Sequence, residues 1–281
     1  MGSEDHGSSS LPVRTTRHLR PGRHSSPHQL SLPAEAPALV LAVPGAASTA
    51  SEEIAAEIAA WAGASCPGVT ITAGYLEGSE NHLSKILSGL HSRLPAVVVP
   101  LLTCPYPSID EAIAAIVAAA DTPVLMAEHL GPHPFLAEAV HARLSEAGLA
   151  RAGRAGRISL VSAADGVIVG AAGDAEAVQA AGVVAVLLAS RLTIPAVPAP
   201  LADPAALREA AERLSAAQVT RVMLAPCVIG PEVPPDAMAG IAAESGLECA
   251  PPLGGYPTIG QLVAIRYGAV LEDPQLADVS G

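Results

Sequence analysis

Residues 100–110, PLLTCPYPSID, contain three side chains that could take part in chemistry: Cys104, Tyr106 and Ser108. The segment follows an apolar run, AVVV, which has the composition of a buried strand. In α/β folds ligands bind beyond the carboxyl ends of parallel strands. There, Cys104 could serve as a soft metal ligand and Tyr106 as a pocket wall or hydrogen-bond donor. The alternative is a proline-rich loop in which Cys104 fills space and Ser108 caps a helix.

Glu77 and His82 lie in a second candidate segment, AGYLEGSENHLSKIL, at residues 73–87. A carboxylate and an imidazole can hold a divalent metal ion, and a neutral histidine also accepts a proton near pH 7. These two side chains could turn toward the same strand ends as Cys104. Alternatively, His82 faces solvent at the start of a helix that Glu77 helps to cap.

His129 and His133 have a spacing of four residues, which would suit a metal site on a helix. Gly131 and Pro132 stand between them and argue against a helix there. We therefore expect two histidines of a surface loop.

Short β-branched runs alternate with alanine-rich stretches of helical periodicity, which predicts an α/β fold. Two sequences with capping-box spacing, TASE at 49–52 and SIDE at 108–111, predict helix starts. The predicted strands are 38–43, 69–73, 96–100 and 123–126, followed by 158–161, 196–198 and 221–225.

The chain contains an internal repeat. LGPHPFLAEAVHARL at 130–144 aligns with LGGYPTIGQLVAIRY at 253–267, and residues 100–110 align with PCVIGPEVPPD at 226–236. We expect two similar halves, each a parallel sheet of about four strands with helices on both faces, and a pocket between them. The predicted division is a disordered tail at 1–36, halves at 37–148 and 158–272, a linker at 149–157 and a tail at 273–281.

The 281 residues include 15 Lys and Arg against 27 Asp and Glu, a formal net charge of −12. This acidity argues against nucleic acid or an anionic membrane as a partner. No apolar run reaches about 18 residues and no signal segment is recognisable, so we expect a cytoplasmic protein without a spanning helix. The cysteines form no CxxC pair, so we expect reduced thiols at Cys66, Cys104, Cys227 and Cys249.

The LG-x-x-P blocks at 130 and 253, together with residues 73–87 and the strand and loop VVVPLLTCPYPSID, resemble the sirohydrochlorin chelatase family of class II tetrapyrrole chelatases. The resemblance covers roughly residues 38–270. It implies two fused chelatase-like halves that insert cobalt, nickel or iron, as a divalent metal substrate, into sirohydrochlorin or a related macrocycle.

The family has His-Gly-Ser after the first strand and a second histidine in the loop after the third. This chain keeps Gly45 but has Pro44 and Pro107 at the two histidine positions, and SAADG at 162–166 stands for the first motif in the second half. A proline side chain neither ligates a metal nor accepts a proton. The family's metal chemistry therefore does not carry over to these positions.

The remaining metal candidates are Glu77, Cys104 and His82, and the substrate-binding candidates are Gly45, Ser48, Tyr106 and Ser108. Helix N-termini at 48–52 and 108–111 would bind the macrocycle's carboxylates, because Arg143 and Arg266 lie late in helices, away from the strand ends. The sequence leaves three functions open: a chelatase-like protein with a degenerate metal site, a non-catalytic binder of a tetrapyrrole or small anion, and a regulatory or structural partner of an active chelatase.

Overall fold

The structure, a computed structural model, describes residues 30, 32, 36–90, 95–148 and 164–272. The predicted linker at 149–157, the strand predicted at 158–161, the tail at 273–281 and almost all of the tail at 1–36 lie outside these residues. The domain boundaries that depend on them stay predictions.

The first sheet contains four parallel strands in the order β2-β1-β3-β4. Side chains of β1 and β3 alternate between two cores. Leu39, Leu41 and Val97 face the core between the two sheets, whereas Val40 and Val98 face the outer core. Burial on both faces explains why these strands are continuous apolar runs. The strands are β1 Leu39–Ala46, β2 Ile71–Glu77, β3 Ala96–Pro100 and β4 Val124–Met126.

The second sheet has the same topology, with the order β6-β5-β7-β8 and all strands parallel. The predicted fold class, two similar halves with parallel four-stranded sheets, is confirmed. Strand β5 was not predicted, because the first strand of this half was placed at 158–161 and the segment at 162–166 was interpreted as the loop after it. The strands are β5 Gly166–Ala171, β6 Ala196–Pro200, β7 Val222–Pro226 and β8 Glu248–Cys249.

Proline is at the first position of five of the described helices, where its missing N–H has no helical partner to lose. The first capping box is formed by Ser48 and Ser51, one residue before the predicted pair, and α3 begins at Pro107 rather than at Ser108. The helices are α1 Thr49–Ser65, α2 Leu83–Ser88, α3 Pro107–Ala118, α4 Pro134–Glu146, α5 Ala175–Leu192, α6 Pro204–Ala216, α7 Pro235–Ser245 and α8 Pro257–Leu271.

The last helix of each half packs against the other half. Helix α8 contacts α1 and β3, and α4 contacts α5 and β7. The buried Tyr267 on α8 donates a hydrogen bond to the carbonyl oxygen of Pro37 over 2.7 Å. Helices α1, α4, α5 and α8 therefore fill the space between the sheets, and one hydrophobic core includes residues of both halves.

Helix α5 is long and apolar enough to cross a bilayer by length and composition. Ala181, Val184 and Leu188 are nevertheless buried in the core between the sheets, and a core helix passes the same test. Val183 and Val186 are exposed on its outer face.

Gly260 on α8 allows a close approach to α1. A Cβ at this position would lie 2.7 Å from the Ile58 carbonyl oxygen and 2.9 Å from the Ala62 nitrogen. Because these are backbone atoms that no rotamer change can move, we expect Gly260→Ala to lower the free energy of unfolding by ~1–3 kcal/mol, measured by urea denaturation.

Gly240→Ala is the matched control for this substitution. Gly240 lies on α7, and a Cβ there would meet no atom within 4 Å. We expect Gly240→Ala to be neutral or to stabilise the protein by up to ~1 kcal/mol, because alanine has the higher helix propensity. Equal destabilisation by both substitutions would contradict close packing of α1 on α8.

Candidate functional site

A cavity of about 1350 Å³ lies between the two halves. It opens at the carboxyl ends of β1 and β2 in the first half and of β7 and β8 in the second, where α/β folds place ligands. Helices α3 and α7 border it with their first turns. Most of its lining residues come from the segments 44–51, 76–77, 106–112, 229–239 and 249–255.

Five residues singled out in the sequence line this cleft. The four substrate-binding candidates, Gly45, Ser48, Tyr106 and Ser108, do so, and the metal candidate Glu77 lines it as well. They come from the ends of β1 and β2 and the start of α3, so the topology brings together side chains that are up to 63 positions apart in the chain.

The other two metal candidates do not line the cleft. Cys104 is 3% exposed and belongs to the core between the sheets. His82 is the N-cap residue of α2, where its Nδ1 accepts a hydrogen bond from the backbone nitrogen of Ser84 at 3.3 Å. Glu77 and His82 therefore do not converge on one site, and His82 rather than Glu77 caps the helix.

Gly45 has a φ of 74°, and a Cβ there would be 3.3 Å from the carbonyl oxygen of Pro231 in the other half. Glycine permits both this conformation and this approach. In the second half the equivalent residue is Gly173, with a φ of 125°, six residues after Val167 as Gly45 is six after Leu39. The predicted counterpart of the first motif at 162–166 is therefore wrong, because β5 lies between that segment and Gly173.

Pro44 lines the cleft at the end of β1, and the equivalent residue after β5 is Ala172. Among the residues that the structure describes, no group of three or more His, Cys, Asp or Glu side chains could hold a metal ion.

Cys104 instead joins the two halves below the cleft. Its neighbour Thr103 donates a short hydrogen bond to the carbonyl oxygen of Cys227. A hydrogen bond with the Cys227 thiol lowers the pKa of Cys104, and the same bond, together with burial, raises the pKa of Cys227 well above its usual value. Both thiols are free and buried, so their contact contributes to the interface between the halves.

Asp110 connects the Tyr106 loop to His129. Its Oδ2 accepts a hydrogen bond from the backbone nitrogen of Tyr106 at 2.9 Å, and its Oδ1 lies 2.7 Å from His129 Nε2. His129 is therefore paired, and His133 caps α4 by accepting a hydrogen bond from the Phe135 nitrogen. Both histidines lie in the loop between β4 and α4, as expected, and each has a hydrogen-bond partner there.

Arg143 lines the cleft, contrary to the expectation that it lies away from the strand ends. It reaches the cleft because α4 crosses to the second half. Its Nε and Nη2 donate to the carbonyl oxygen of Leu253 at 2.9 and 2.6 Å, and its Nη1 lies 2.7 Å from Glu146 Oε2. The guanidinium also lies 5.9 Å from the ring centroid of Tyr256.

Glu232 is a lining residue that the sequence did not single out. Its carboxylate accepts hydrogen bonds from the backbone nitrogens of Ile229 and Gly230 at 2.6 and 2.8 Å. Burial raises the pKa of this carboxyl group above its usual value, although the two backbone bonds act in the opposite direction. A lone glutamate in a proline-rich loop gives no sequence signal for this arrangement.

Comparison with known proteins shows which fold this is. Residues 38–147 match the CbiX family. No curated protein matches the chain. The match of residues 38–147 to the CbiX family model agrees with the resemblance found in the sequence.

Solved chelatase structures cover most of the chain. Sirohydrochlorin chelatase SirB from Bacillus subtilis subspecies spizizenii, in complex with cobalt, has 15% identity and a TM-score of 0.60, covering 85% of this chain and 97% of that one. SirB from Bacillus subtilis with Fe³⁺ has 16% identity and a TM-score of 0.61, and the match covers 85% of this chain and 97% of that one. DR2241 from Deinococcus radiodurans is a multi-domain protein with structural similarity to chelatases. It has 17% identity and a TM-score of 0.61, and the match covers 86% of this chain and 56% of DR2241. At these identities the likeness shows the fold.

Glu232→Gln tests the electrostatics of the cleft loop. Because the folded-state pKa of Glu232 is raised above 4.5, the stability that it contributes is present below that pH and is lost as the pH rises through the raised pKa. Glutamine keeps an oxygen acceptor but does not titrate. We therefore expect the free energy of unfolding of the native protein to fall relative to that of Glu232→Gln from about pH 4 to about pH 7.

Urea denaturation across this pH range measures the difference between the two proteins. Glu212→Gln, on the exposed face of α6, is the control for the loss of a surface carboxylate. A difference between the native protein and Glu232→Gln that does not vary with pH would contradict the raised pKa.

Proposed function

We propose that the protein binds a tetrapyrrole macrocycle in the cleft between its halves and does not insert metal by the histidine chemistry of the chelatases. The observation that carries this proposal is a large cleft at the strand ends whose described residues include no metal-holding group. The CbiX match of the first half supports a tetrapyrrole as the ligand.

The size and lining of the cleft support a large, mainly apolar ligand. Drug-sized ligands occupy pockets of ~300–1,000 Å³, and this cavity is larger. Ile54 and Ile109 from the first half and Val233 and Met238 from the second line it. Prolines line it on both sides, and their fixed φ angles make the walls stiff, which reduces the ordering that a bound ring would require.

The absence of a histidine site argues against catalysis in this cleft. Metal insertion needs a ligand that holds the ion beside the ring and a base that accepts the pyrrole protons. Cys104 is buried outside the cleft and His82 caps a helix, which leaves Glu77 as the one metal candidate that lines the cavity. Cobalt, nickel or iron would be substrates only if Glu77, alone or with the other glutamates that line the cleft, held the ion.

The cellular setting is part of the same proposal. An acidic protein with a chelatase-like fold is suited to a cytoplasmic tetrapyrrole pathway, without nucleic acid or membrane as partner. Delivery of the bound ring to a partner enzyme of that pathway would be consistent with binding without turnover.

Binding can be measured with free-base coproporphyrin, a tetracarboxylate, from the shift of its main absorption band. Ala239 is an exposed residue of α7 that lines the cleft, so Ala239→Trp should fill part of the cavity without disturbing the core. We expect this substitution to weaken binding at least ~tenfold, which corresponds to ~1.4 kcal/mol.

Ala237→Trp places the same side chain on the same helix at an exposed position that does not line the cleft. We expect it to change the affinity less than ~twofold. Equal weakening by both variants would contradict binding in the cleft.

Metal insertion is tested separately with Co²⁺ and sirohydrochlorin, followed by absorption. We expect the rate with the protein to equal the rate without it, because no described group of the cleft can hold the ion. An acceleration that Glu77→Gln abolishes would instead establish a chelatase that uses Glu77.

A further inference from the structure

The charged side chains of the cleft are mostly acidic. Glu57, Glu77 and Glu232 line it, and among its described lining residues Arg143 is the single basic side chain. Arg143 already donates to the Leu253 carbonyl oxygen and pairs with Glu146, so its charge is largely neutralised. A ligand carboxylate entering the cleft would meet repulsion from the glutamates and little compensating attraction.

At the N-termini of α1 and α3, side chains of the chain itself accept hydrogen bonds from part of the backbone N–H groups. At the start of α1, the Ser51 nitrogen donates to Ser48 Oγ and the Ser48 nitrogen to Ser51 Oγ. At the start of α3, the Tyr106 nitrogen donates to the Asp110 carboxylate. Each of these bonds leaves one amide fewer for a ligand anion at a helix terminus, where anions usually bind.

The loop after β7 shows the same pattern. The amides of Ile229 and Gly230 point at one acceptor, as in an anion-binding nest, and the carboxylate of Glu232 is that acceptor. Helix α7 then begins with Pro234 and Pro235, which have no N–H to offer. The acceptor for these amides at the second-half side of the cleft is thus a side chain of the protein itself.

From these observations we propose that the cleft selects macrocycles with neutral or cationic peripheral substituents, which form the rim of the ring. Polycarboxylates such as sirohydrochlorin would bind more weakly. This inference rests on the proposed function and names the ligand class of the same site. The apolar walls contact the ring, and Glu57 and Glu77, both exposed at the cleft, face its substituents. A ring whose carboxylates have been converted to esters or amides, or which carries cationic groups, fits this lining.

Three free-base porphyrins of different rim charge test the proposal with the full chain: the octacarboxylate uroporphyrin, the tetracarboxylate coproporphyrin and the tetracationic tetrakis(N-methylpyridyl)porphyrin. We expect the affinity to increase in that order, with at least ~tenfold between the first and the last at low salt. The ratio should shrink in ~1 M salt, because screening weakens exposed charges.

Variants distinguish the effect of the cleft glutamates on ligand preference from the effect of the protein's overall negative charge. The double variant Glu57→Gln/Glu77→Gln should reduce the preference for the cation at least ~threefold, whereas Glu212→Gln, which removes a distant carboxylate, should leave it unchanged. Ala239→Trp should weaken binding of all three rings. An equal effect of Glu212→Gln and the cleft variants would overturn the proposal, because the preference would then follow net charge alone.

The failure of this inference can be told apart from failure of the proposed function. If uroporphyrin binds most tightly and Ala239→Trp weakens it, the cleft binds tetrapyrroles but selects polycarboxylates, which overturns the inference alone. If none of the three rings binds, the proposed function fails and the inference fails with it.

Discussion

The exchange of terminal helices between the halves is the interaction on which the rest of the structure depends. Helix α8 packs on β3 of the first sheet beside α1, and α4 packs on β7 of the second sheet beside α5. The helix of the other half thus completes the cover of each inner apolar face. The position of the cleft follows from this arrangement, because the shared core fixes the strand ends of one half opposite the loops of the other.

Close backbone contacts make the arrangement specific. Gly260 allows α8 to lie against α1, and Gly45 brings the end of β1 to the Pro231 carbonyl of the other half. Thr103 and Cys227 add a buried hydrogen bond between the halves. Interfaces of this kind tolerate little displacement, since interiors are close-packed. The cleft walls are therefore expected to be largely preformed before a ligand binds.

Much of the fold could be predicted because parallel strands buried on both faces leave unmistakable apolar runs, as at 96–100. Strand β5 was missed, since the apolar run at 158–161 nearby has a similar composition and was interpreted as the first strand of this half. The packing of α4 and α8 against the other half has no local sequence signature either. It depends on which apolar helix face packs on which sheet, and residues far apart in the chain decide this. The predictable strands explain why three residues were correctly expected at strand ends: Gly45, Ser48 and Tyr106. Arg143 was expected away from them, because its position depends on the packing of α4 against the second half. Glu232 was missed because its role depends on two backbone amides that only the folded loop brings together.

Proline at the position of the family's first histidine changes the chemistry of the cleft without closing it. Pro44 leaves the glycine turn at Gly45 intact, so the backbone that approaches the other half is preserved while a metal ligand and proton acceptor is missing. Glu232 has a comparable effect in the second half, because an internal carboxylate occupies amides that a ligand anion would otherwise use. Both features preserve the backbone of the cleft and change the groups that it offers to a ligand. Discrimination between ligands of the proposed class would therefore depend on their shape and on the charge of their substituents, because these are what the remaining side chains contact.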